Sequence, residues 1–316
     1  MTRHGIVLGA GGVLGFTWSV AALHAWEQET GLDARDADIR VGTSAGSILA
    51  GMLGLGVSTD TILRHQLGTS LKGDRNVEWD YEVDGGGSRP PLPRPGLGSP
   101  GLLLSLLRHP GHIPPLAAMS GILPRGQASL GPLERMLDRL ADGADAWPDR
   151  DTWIVAMDYA TGSREVFGRP GSLPARLSQA VQASCSIPGW YHPVTIGRRS
   201  YVDGGALSST SVDLLAGAGL SDVVVIAPMA SRHVDRPRSP IAKLERRWRR
   251  STTKRVLREI ARVEATDTRV RLLCPGPVDL AAMGANLMDH RRRRTVLDTA
   301  LRSAGEQMAG HVAETG

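Results

Sequence analysis

The sequence predicts an α/β fold, with a mainly parallel sheet that carries helices on both faces. Short apolar runs rich in β-branched residues alternate with longer segments of helical pattern, and this alternation is typical of a parallel sheet. Several of the apolar runs end in glycine-rich segments, as expected where a strand turns into the next helix. Because ligands of such sheets bind at the carboxyl ends of the strands, these turns should lie along one edge and share one site.

The first part of the chain contains two predicted strand–turn–helix units. Its predicted elements are a strand at 5–8, a helix at 13–29, a strand at 39–41, and helices at 45–55 and 59–67. The basic start and the apolar run that follows also resemble a signal peptide. We prefer the strand and helix, because the glycines between positions 9 and 15 would interrupt the helical core of a signal peptide.

Residues 84–126 form a predicted irregular insertion. The run "DGGGSRPPLPRPGLGSPG" is too rich in glycine and proline for a helix or a strand. The apolar run 102–107 and the segment "IPPLAAMSGILP" predict one or two short apolar helices. A disordered surface loop is the alternative, but the leucines indicate at least intermittent burial.

The remainder of the chain returns to alternating elements. We predict a helix at 130–140, a strand at 152–159 with "REVFG" as its neighbour, a helix at 174–184, and strands at 199–202, 222–227 and 269–273. Segment 243–263 is predicted to be a basic helix in which five apolar residues recur on one face: Leu244, Trp248, Val256, Ile260 and Val263. This stripe either packs on the sheet, which we favour, or lies on an anionic lipid surface.

The chain is long enough for one large domain or for two small ones. Of the 316 residues 41% are hydrophobic, which is enough for a sizeable core. The net charge of +5 comes mostly from arginines in the last third, but no aromatic platform or nucleic-acid motif accompanies them, so we expect no nucleic-acid partner. Cys185 and Cys274 lack metal-ligand spacing, so we expect no metal and no disulfide, in a cytoplasmic protein. Nothing in the sequence indicates an oligomeric state.

The first glycine-rich turn is "LGAGGVLGF". It fails the G-x-G-x-x-G pattern of dinucleotide-binding proteins, since Leu14 stands where the third glycine is needed, and no Gly-Lys-Ser/Thr follows as in a P-loop. What remains is a turn with bare backbone N–H groups at the start of a helix. Such groups bind phosphate or stabilise a developing oxyanion.

The second turn places a serine between glycines, in "DIRVGTSAGSILAGML". Gly42, Ser44 and Gly46 have the G-x-S-x-G spacing of a nucleophile elbow, a tight strand-to-helix turn that exposes a hydroxyl. The alternative is a glycine-rich turn whose serine caps a helix, which many α/β proteins contain.

A nucleophilic serine needs a base, because a free hydroxyl attacks poorly. The downstream histidines lack a glycine-framed strand end and are expected at surface or loop positions: His192, His233 and His290. This disfavours an ordinary α/β-hydrolase with a Ser-Asp/Glu-His triad.

The third turn, "RRSYVDGGALSS", places Asp203 at the end of a strand, before Gly204 and Gly205. A carboxylate at this position would reach the same sheet edge as Ser44. The alternative is an ordinary β-turn with aspartate as the turn residue.

In this order, the three motifs resemble those of the patatin-like phospholipase family. That family has a glycine-rich oxyanion loop, then a G-x-S-x-G elbow, then a late Asp-Gly-Gly. The segment "SQAVQASCSIPGWYHPVTIGRRSYVDGG" extends the resemblance, which covers residues 5 to about 230. It implies a single domain over residues 1–316, with a three-layer α/β/α fold and a mainly parallel central sheet. It implies neither a cofactor nor a metal.

The resemblance also implies the roles of individual residues. Ser44 would be the nucleophile and Asp203 its base, in a dyad without histidine. Main-chain N–H groups of Gly11, Gly12 and Val13 would form the oxyanion hole. The glycines of the other two motifs would shape the turns: Gly42, Gly46, Gly204 and Gly205.

The function that follows from the resemblance is acyl-ester hydrolysis. We expect a serine lipid acyl hydrolase that cleaves carboxylic esters of (lyso)phospholipids or related acyl lipids through an acyl-enzyme. The alternatives are a general carboxylesterase or acylglycerol lipase of the same mechanism, a catalytically silent lipid-binding relative, and a phosphate-binding protein that uses the first turn. Leu14 stands where the family often has a basic residue, which weakens the case for charged head groups.

Membrane contact would be peripheral and would involve one of two segments. Residues 84–126 are expected to cover the site, with leucines that line an acyl channel, touch lipid, or simply pack on the surface. The basic helix 243–263 is the other candidate.

Overall fold

A central eight-stranded sheet organises the computed structural model, which describes residues 2–81, 83–85, 87–92, 96–108, 114–143 and 147–315, with 307–315 described without side chains. The strands are β1 His4–Leu8, β2 Ile39–Thr43, β3 Asp151–Asp158, β4 Arg164–Phe167, β5 Val194–Ile196, β6 Arg199–Asp203, β7 Asp222–Ile226 and β8 Arg269–Leu273. The α-helices are α1 Gly12–Thr30, α2 Ala45–Gly54, α3 Thr59–Leu67, α4 Pro100–Arg108, α5 Pro115–Ile122, α6 Gly131–Leu140, α7 Leu177–Ser184, α8 Pro240–Glu264, α9 Pro277–Met283 and α10 Arg293–Thr315.

Five strands form the parallel core of the sheet, in the order β3-β2-β1-β7-β8. β4 and β6 pair antiparallel with β3, and β5 pairs antiparallel with β6. Since the core strands run in one direction, the turns that follow Leu8, Thr43 and Ile226 emerge at the same edge, which we call the carboxyl edge. The prediction of a mainly parallel sheet is confirmed.

Helices cover both faces of the sheet and produce a three-layer α/β/α architecture. Along β1, Ile6 and Leu8 belong to one core cluster, whereas Val7 between them belongs to another. The first cluster contains side chains of α1, α2, α6, α7 and α10, and the second contains side chains of α8. Burial on both sides explains why the core strands are continuous apolar runs rather than alternating ones.

The predicted helices of the first part are observed with small shifts. α1, α2 and α3 begin and end within one residue of the predicted bounds. At the start of α3, the Ser58 side chain accepts a hydrogen bond from the N–H of Thr61, and Gly68 with a positive φ ends the helix. α7 begins later than predicted, because Arg176 still has an extended backbone. In the described part of the chain, no helix combines the length and apolar content needed to cross a membrane.

α8 corrects the prediction that the whole apolar stripe packs on the sheet. Only its second half is buried against the sheet, through Val256, Ile260 and Val263. In the first half, Leu244 and Trp248 are 69% and 39% exposed, and the inward positions are taken by Arg246 and Arg249. The first half is therefore anchored by guanidinium hydrogen bonds rather than by apolar packing.

The insertion contains α4 and α5, two short helices as predicted. Leu102 packs with Met157 and Val202 in a small cluster. The hydroxyl of Tyr159, just after β3, donates to the carbonyl oxygen of Ser120 at 2.9 Å. Other apolar side chains of the insertion are exposed: Leu92, Leu97, Leu104, Leu107, Leu116, Met119, Ile122 and Leu123. The insertion thus rests on the carboxyl edge beside β3.

Candidate active site

Ser44 lies in the sharp turn between β2 and α2. Its φ of +54° and ψ of −124° form a strained conformation that few non-glycine residues adopt. The N–H of Ser44 donates to Oγ of Ser184 at 2.8 Å, and that hydroxyl donates to the carbonyl of Val155 at 2.6 Å. The hydroxyl of Ser47 donates to the carbonyl of Ser44, also at 2.6 Å. These bonds hold the turn in place.

The glycines on either side of Ser44 allow the close packing that the turn requires. A Cβ atom at Gly42 would lie 2.6 Å from Cα of Ser47. A Cβ atom at Gly46 would lie only 1.9 Å from the carbonyl oxygen of Leu8, at the end of β1. Both contacts involve backbone atoms, so no side-chain adjustment can relieve them.

We expect Gly46→Ala to lower the free energy of unfolding by about 3 kcal/mol or more, because the added methyl group overlaps the main chain of a central strand. Gly51→Ala in the same helix is the matched control. Its Cβ would meet its nearest neighbour at 3.6 Å, and alanine favours a helix interior by about 0.5–1 kcal/mol. Urea unfolding followed by circular dichroism measures both variants. Equal stability of the two would contradict the packing described for this turn.

The structure brings Asp203 to Ser44 through the register of one shared strand. Thr43 pairs with Val155 on β3, and Asp203 pairs with the next residue of that strand, Ala156. Two residues 159 positions apart therefore meet at the carboxyl edge, where the Ser44 hydroxyl donates to Oδ2 of Asp203 at 2.6 Å.

The Asp203 carboxyl group has a raised pKa. Burial raises this pKa from its ordinary value to about 6, although hydrogen bonds from the Ser44 hydroxyl and from the N–H of Gly205 lower it. The second of these bonds is 2.7 Å long and orients the carboxylate through Oδ1. A carboxylate with this pKa is ionised at pH 7–8 and accepts a proton more readily than an exposed aspartate does.

The first glycine-rich turn presents unused N–H groups beside Ser44. Within the described ranges, no atom accepts a hydrogen bond from the N–H of Gly11, Gly12 or Val13. These groups stand at the N-terminus of α1, the positive end of its dipole. Gly12 and Val13 line the same pocket as Ser44. The arrangement is suited to holding a negatively charged oxygen.

Neighbouring segments pack closely on this turn. A Cβ atom at Gly11 would lie 2.7 Å from Pro228, and one at Gly12 would lie 2.9 Å from Sδ of Met288. The N–H of Leu14 donates to the carbonyl of Leu287 at 2.9 Å, and its side chain is fully buried in the core. Leu14 therefore supports the turn from inside and contributes no charge to the pocket.

An apolar pocket opens beside Ser44. The space between its walls is about 760 Å³ when it is counted out to the open mouth. Apolar side chains from helices and from the loops between them form most of its wall: Phe16, Ile48, Met52, Ile62, Val77, Trp79, Leu130, Leu133, Met136, Ile187 and Met288. Among the described residues of the insertion, only Gly85 lines the pocket, so the leucines of the insertion are not its wall.

His65 and Tyr81 bring a polar network to one wall of the pocket. The Tyr81 hydroxyl accepts from Nε2 of Gln66 at 2.6 Å and lies 3.1 Å from Nδ1 of His65. The guanidinium group of Arg293 lies over the Tyr81 ring, 4.2 Å from its centre. Burial, together with Arg293, lowers the pKa of His65, and burial raises the pKa of Tyr81. Both side chains are therefore neutral at pH 7–8.

The three histidines downstream in sequence do not approach Ser44. His192 and His233 are exposed, and His290 is partly exposed in a short 3₁₀ turn. In the part of the chain that is described, the Ser44 hydroxyl has a carboxylate partner and no histidine partner.

Sequence reasoning missed several residues that shape the pocket and the turn. Ser184 belongs to the segment that extends the family resemblance, but its bond to the Ser44 N–H is visible only in three dimensions. Its neighbour Cys185 lines the pocket, and burial raises the pKa of this thiol so far that it stays protonated. His65, Tyr81 and Met288 come from segments that carry no motif.

A three-layer α/β/α fold with a serine at a strand–helix elbow is typical of the class of α/β serine hydrolases. Comparison with known families narrows this class. The patatin-like phospholipase family matches residues 6–216, about two thirds of the chain. The chain therefore belongs to the patatin-like phospholipase family, a family of lipid-hydrolysing enzymes.

Solved structures resemble the chain only distantly. VipD from Legionella pneumophila is 12% identical with a TM-score of 0.40, and the match covers 95% of this chain and 67% of VipD. The type III effector protein ExoU is 15% identical with a TM-score of 0.34, and the match covers 98% of this chain and 53% of ExoU. No curated protein matches the sequence.

Proposed function

We propose that this protein is a serine lipid acyl hydrolase in which Ser44 is the nucleophile and Asp203 the base. The observation that carries the proposal is the 2.6 Å hydrogen bond from the Ser44 hydroxyl to the buried carboxylate. Family membership supports a lipid substrate, and the apolar pocket supports an acyl chain as the bound group. In this proposal residues 1–316 act as one catalytic unit, with 84–126 as its cover.

The first half of the proposed reaction forms an acyl-enzyme. The Ser44 oxygen attacks the carbonyl carbon of the ester while its proton moves to Oδ2 of Asp203. The N–H groups of Gly11, Gly12 and Val13 stabilise the resulting oxyanion, typically by ~3–4 kcal/mol for each donor. When the bond to the alcohol breaks, Asp203 returns the proton to the leaving oxygen.

The second half releases the acid. A water molecule attacks the acyl carbon and transfers a proton to Asp203, and the same N–H groups stabilise the second oxyanion. Collapse of this intermediate frees the carboxylic acid, and the proton on Asp203 returns to the Ser44 oxygen. The raised pKa of Asp203 assists both halves, because each one begins with proton transfer to its carboxylate.

The proposed substrate is a (lyso)phospholipid or a related acyl lipid. The apolar wall fits the acyl chain, and burial of each CH₂ group contributes about 0.8 kcal/mol to binding. A general carboxylesterase or acylglycerol lipase is the second candidate, because the uncharged pocket and the buried Leu14 favour no particular head group.

Exposed apolar side chains of α4 and α5 support access to lipid at the carboxyl edge. Leu107, Ile122 and Met119 are 80%, 62% and 53% exposed. The insertion rests on the edge to which the pocket belongs, so we propose that this surface touches the lipid aggregate from which the substrate comes.

A fluorophosphonate probe and a substrate panel test the function. We expect the purified protein to be labelled and to release fatty acid from lysophospholipid, phospholipid and monoacylglycerol faster than it cleaves p-nitrophenyl acetate, because only the long chains fill the pocket. A folded protein that is neither labelled nor active on any ester would reject the hydrolase and leave a silent lipid-binding relative.

A further inference from the structure

The N-terminal part of α8, residues 240–254, carries an exposed surface that the proposed chemistry does not use. Ile241, Leu244 and Trp248 recur along one flank of the helix and are 72%, 69% and 39% exposed. Exposed cationic residues lie beside this flank: Lys243, Arg247, Arg250 and Lys254. We call these seven residues the α8 surface.

The charge of the α8 surface is not neutralised locally. None of its four cations forms an ion pair with any residue in the described ranges. Glu245 is the one acidic residue in the sequence segment 241–258. Its carboxylate forms ion pairs with the buried Arg246 and Arg249. The exposed side of residues 240–254 therefore carries four cations beside an apolar flank and no exposed acidic residue.

The α8 surface stands at the carboxyl edge. Arg249 is buried and donates to the carbonyl of Pro228, two residues after β7, at 2.6 Å. Arg246 donates to the carbonyl of Leu280 in α9 at 2.8 Å. Pro228 itself packs beside Gly11. The α8 surface thus flanks the candidate active site on the β7 side, whereas α4 and α5 flank it on the β3 side.

We propose that the α8 surface binds the anionic head groups of a lipid bilayer and sets the carboxyl edge against the membrane. The cations would contact lipid phosphates, and Ile241, Leu244 and Trp248 would enter the interfacial layer, where tryptophan is favoured. A nucleic acid would match the charge but would leave the apolar flank in water.

Vesicle sedimentation of the Ser44→Ala protein measures this binding without hydrolysis, so the outcome is independent of the proposed catalysis. We expect at least tenfold tighter binding to phosphatidylcholine vesicles with about 30% phosphatidylglycerol than to phosphatidylcholine alone, and loss of the preference at high salt. Adding Lys243→Glu with Arg247→Glu should remove the preference. Adding Leu244→Ser with Trp248→Ser should weaken binding to both vesicles.

The matched control is Arg262→Glu with Arg302→Glu, the same charge change at exposed positions outside the α8 surface. It should keep the preference for anionic vesicles. The proposal is overturned if the two charge-reversed proteins bind anionic vesicles equally well, or if the parent binds both vesicle types equally well. It is also overturned if a DNA duplex displaces the protein from anionic vesicles and binds through Lys243 and Arg247.

The inner face of α8 carries an independent feature, a buried carboxylate beneath the loop that follows Asp203. Glu259 is 5% exposed. Its Oε2 accepts from the hydroxyls of Ser208 and Thr210 at 2.9 and 3.1 Å, and its Oε1 accepts from Nε of Arg255 at 3.1 Å.

This loop contacts both parts of the candidate active site. The N–H of Ser208 donates to the carbonyl of Gly204, next to Asp203, at 3.1 Å. The carbonyl of Ser209 accepts the N–H of Ala10, just before the unused N–H groups, at 2.7 Å. Glu259 thus fixes the segment that joins the carboxylate turn to the first glycine-rich turn.

We infer that Glu259 is a positioning residue for the oxyanion hole, an inference that rests on the proposed function. Glu259→Ala leaves two hydroxyls without their acceptor, and the loop can shift. We expect kcat on a short-chain ester to fall about 10- to 100-fold with KM little changed, because misalignment of this size affects the transition state more than binding. Glu259→Gln keeps an acceptor oxygen and should recover most of the loss.

Arg255→Ala is the matched control, because it removes the ion pair and leaves both hydroxyl bonds. It should retain kcat within about twofold. Assays run well below the melting temperature of each variant, with the rate of fluorophosphonate labelling as a second readout. If folded Glu259→Ala protein has the parental kcat and labelling rate, Glu259 has only a structural role and the inference is wrong. If the parental protein itself is not labelled, the proposed function fails instead.

Discussion

Ser44→Ala is expected to lower kcat by about 10⁴-fold or more and to abolish labelling by fluorophosphonate. Alanine removes the attacking oxygen, and only binding and oxyanion stabilisation remain to accelerate hydrolysis. Fatty-acid release and gel fluorescence with equal amounts of folded protein measure the two effects.

Ser19→Ala is the matched control for this substitution. Ser19 is buried in α1, and its hydroxyl has no hydrogen-bond partner within the described ranges. The control should be labelled and active like the parent. Labelling of the Ser44→Ala protein at the parental rate would remove Ser44 from the mechanism.

Asp203→Asn is expected to lower kcat by about 10³- to 10⁴-fold. Asparagine can still accept the hydrogen bond from the Ser44 hydroxyl at Oδ1, but it cannot take up the proton during attack. KM should change little, because the side chain is not part of the apolar wall. Parental activity in this variant would show that another group is the base.

The decline of kcat/KM at acid pH should follow the protonation of the Asp203 carboxylate. Because burial raises the pKa of Asp203 to about 6, kcat/KM should fall below pH 6 as the base becomes protonated. His65 is the competing titratable group, since it lines the pocket and its pKa is lowered from 6.5. The acid limb should persist in His65→Gln. Its disappearance there would assign the limb to the histidine.

The same carboxylate is expected to lower the free energy of unfolding at every pH above about 6. The pKa of Asp203 is about 6 in the folded protein and near 3.8 when unfolded, so the folded state binds its proton more tightly. Stability therefore falls as pH rises from about 4 to 6, by at most about 3 kcal/mol, and stays lower above that range. Asp203→Asn removes this loss of stability. Its melting temperature should be higher than that of the parent at pH 8 and equal to it at pH 4. A lower melting temperature at pH 8 would contradict the buried, ionised carboxylate.

Much of the fold follows from local patterns in the sequence. The continuous apolar runs of β1 and β7 indicate strands covered on both faces, and both are observed. Ser58 and Gly68 mark the ends of α3 because their preferred backbone conformations suit helix ends. These signals are local: they depend on the conformational preferences of a few adjacent residues.

Apolar spacing along a helix gave a wrong prediction where distant parts of the chain decide which residues are buried. Leu244 and Trp248 continue the spacing of Val256, Ile260 and Val263, yet they face solvent. Arg246 and Arg249 turn inward instead, because carbonyl groups after β7 and in α9 accept their N–H groups. Periodicity cannot show which acceptors another segment will supply.

By itself, the sequence determined most of the elements, their mainly parallel arrangement and the presence of a serine and an aspartate at two strand ends. Only the tertiary structure decided that these two side chains meet, because their contact depends on the register by which Thr43 and Asp203 pair with consecutive residues of β3. The pocket and the loop held by Glu259 likewise arise from residues far apart in the chain. Register and long-range packing are collective properties, set by how whole elements fit together rather than by the preferences of neighbouring residues.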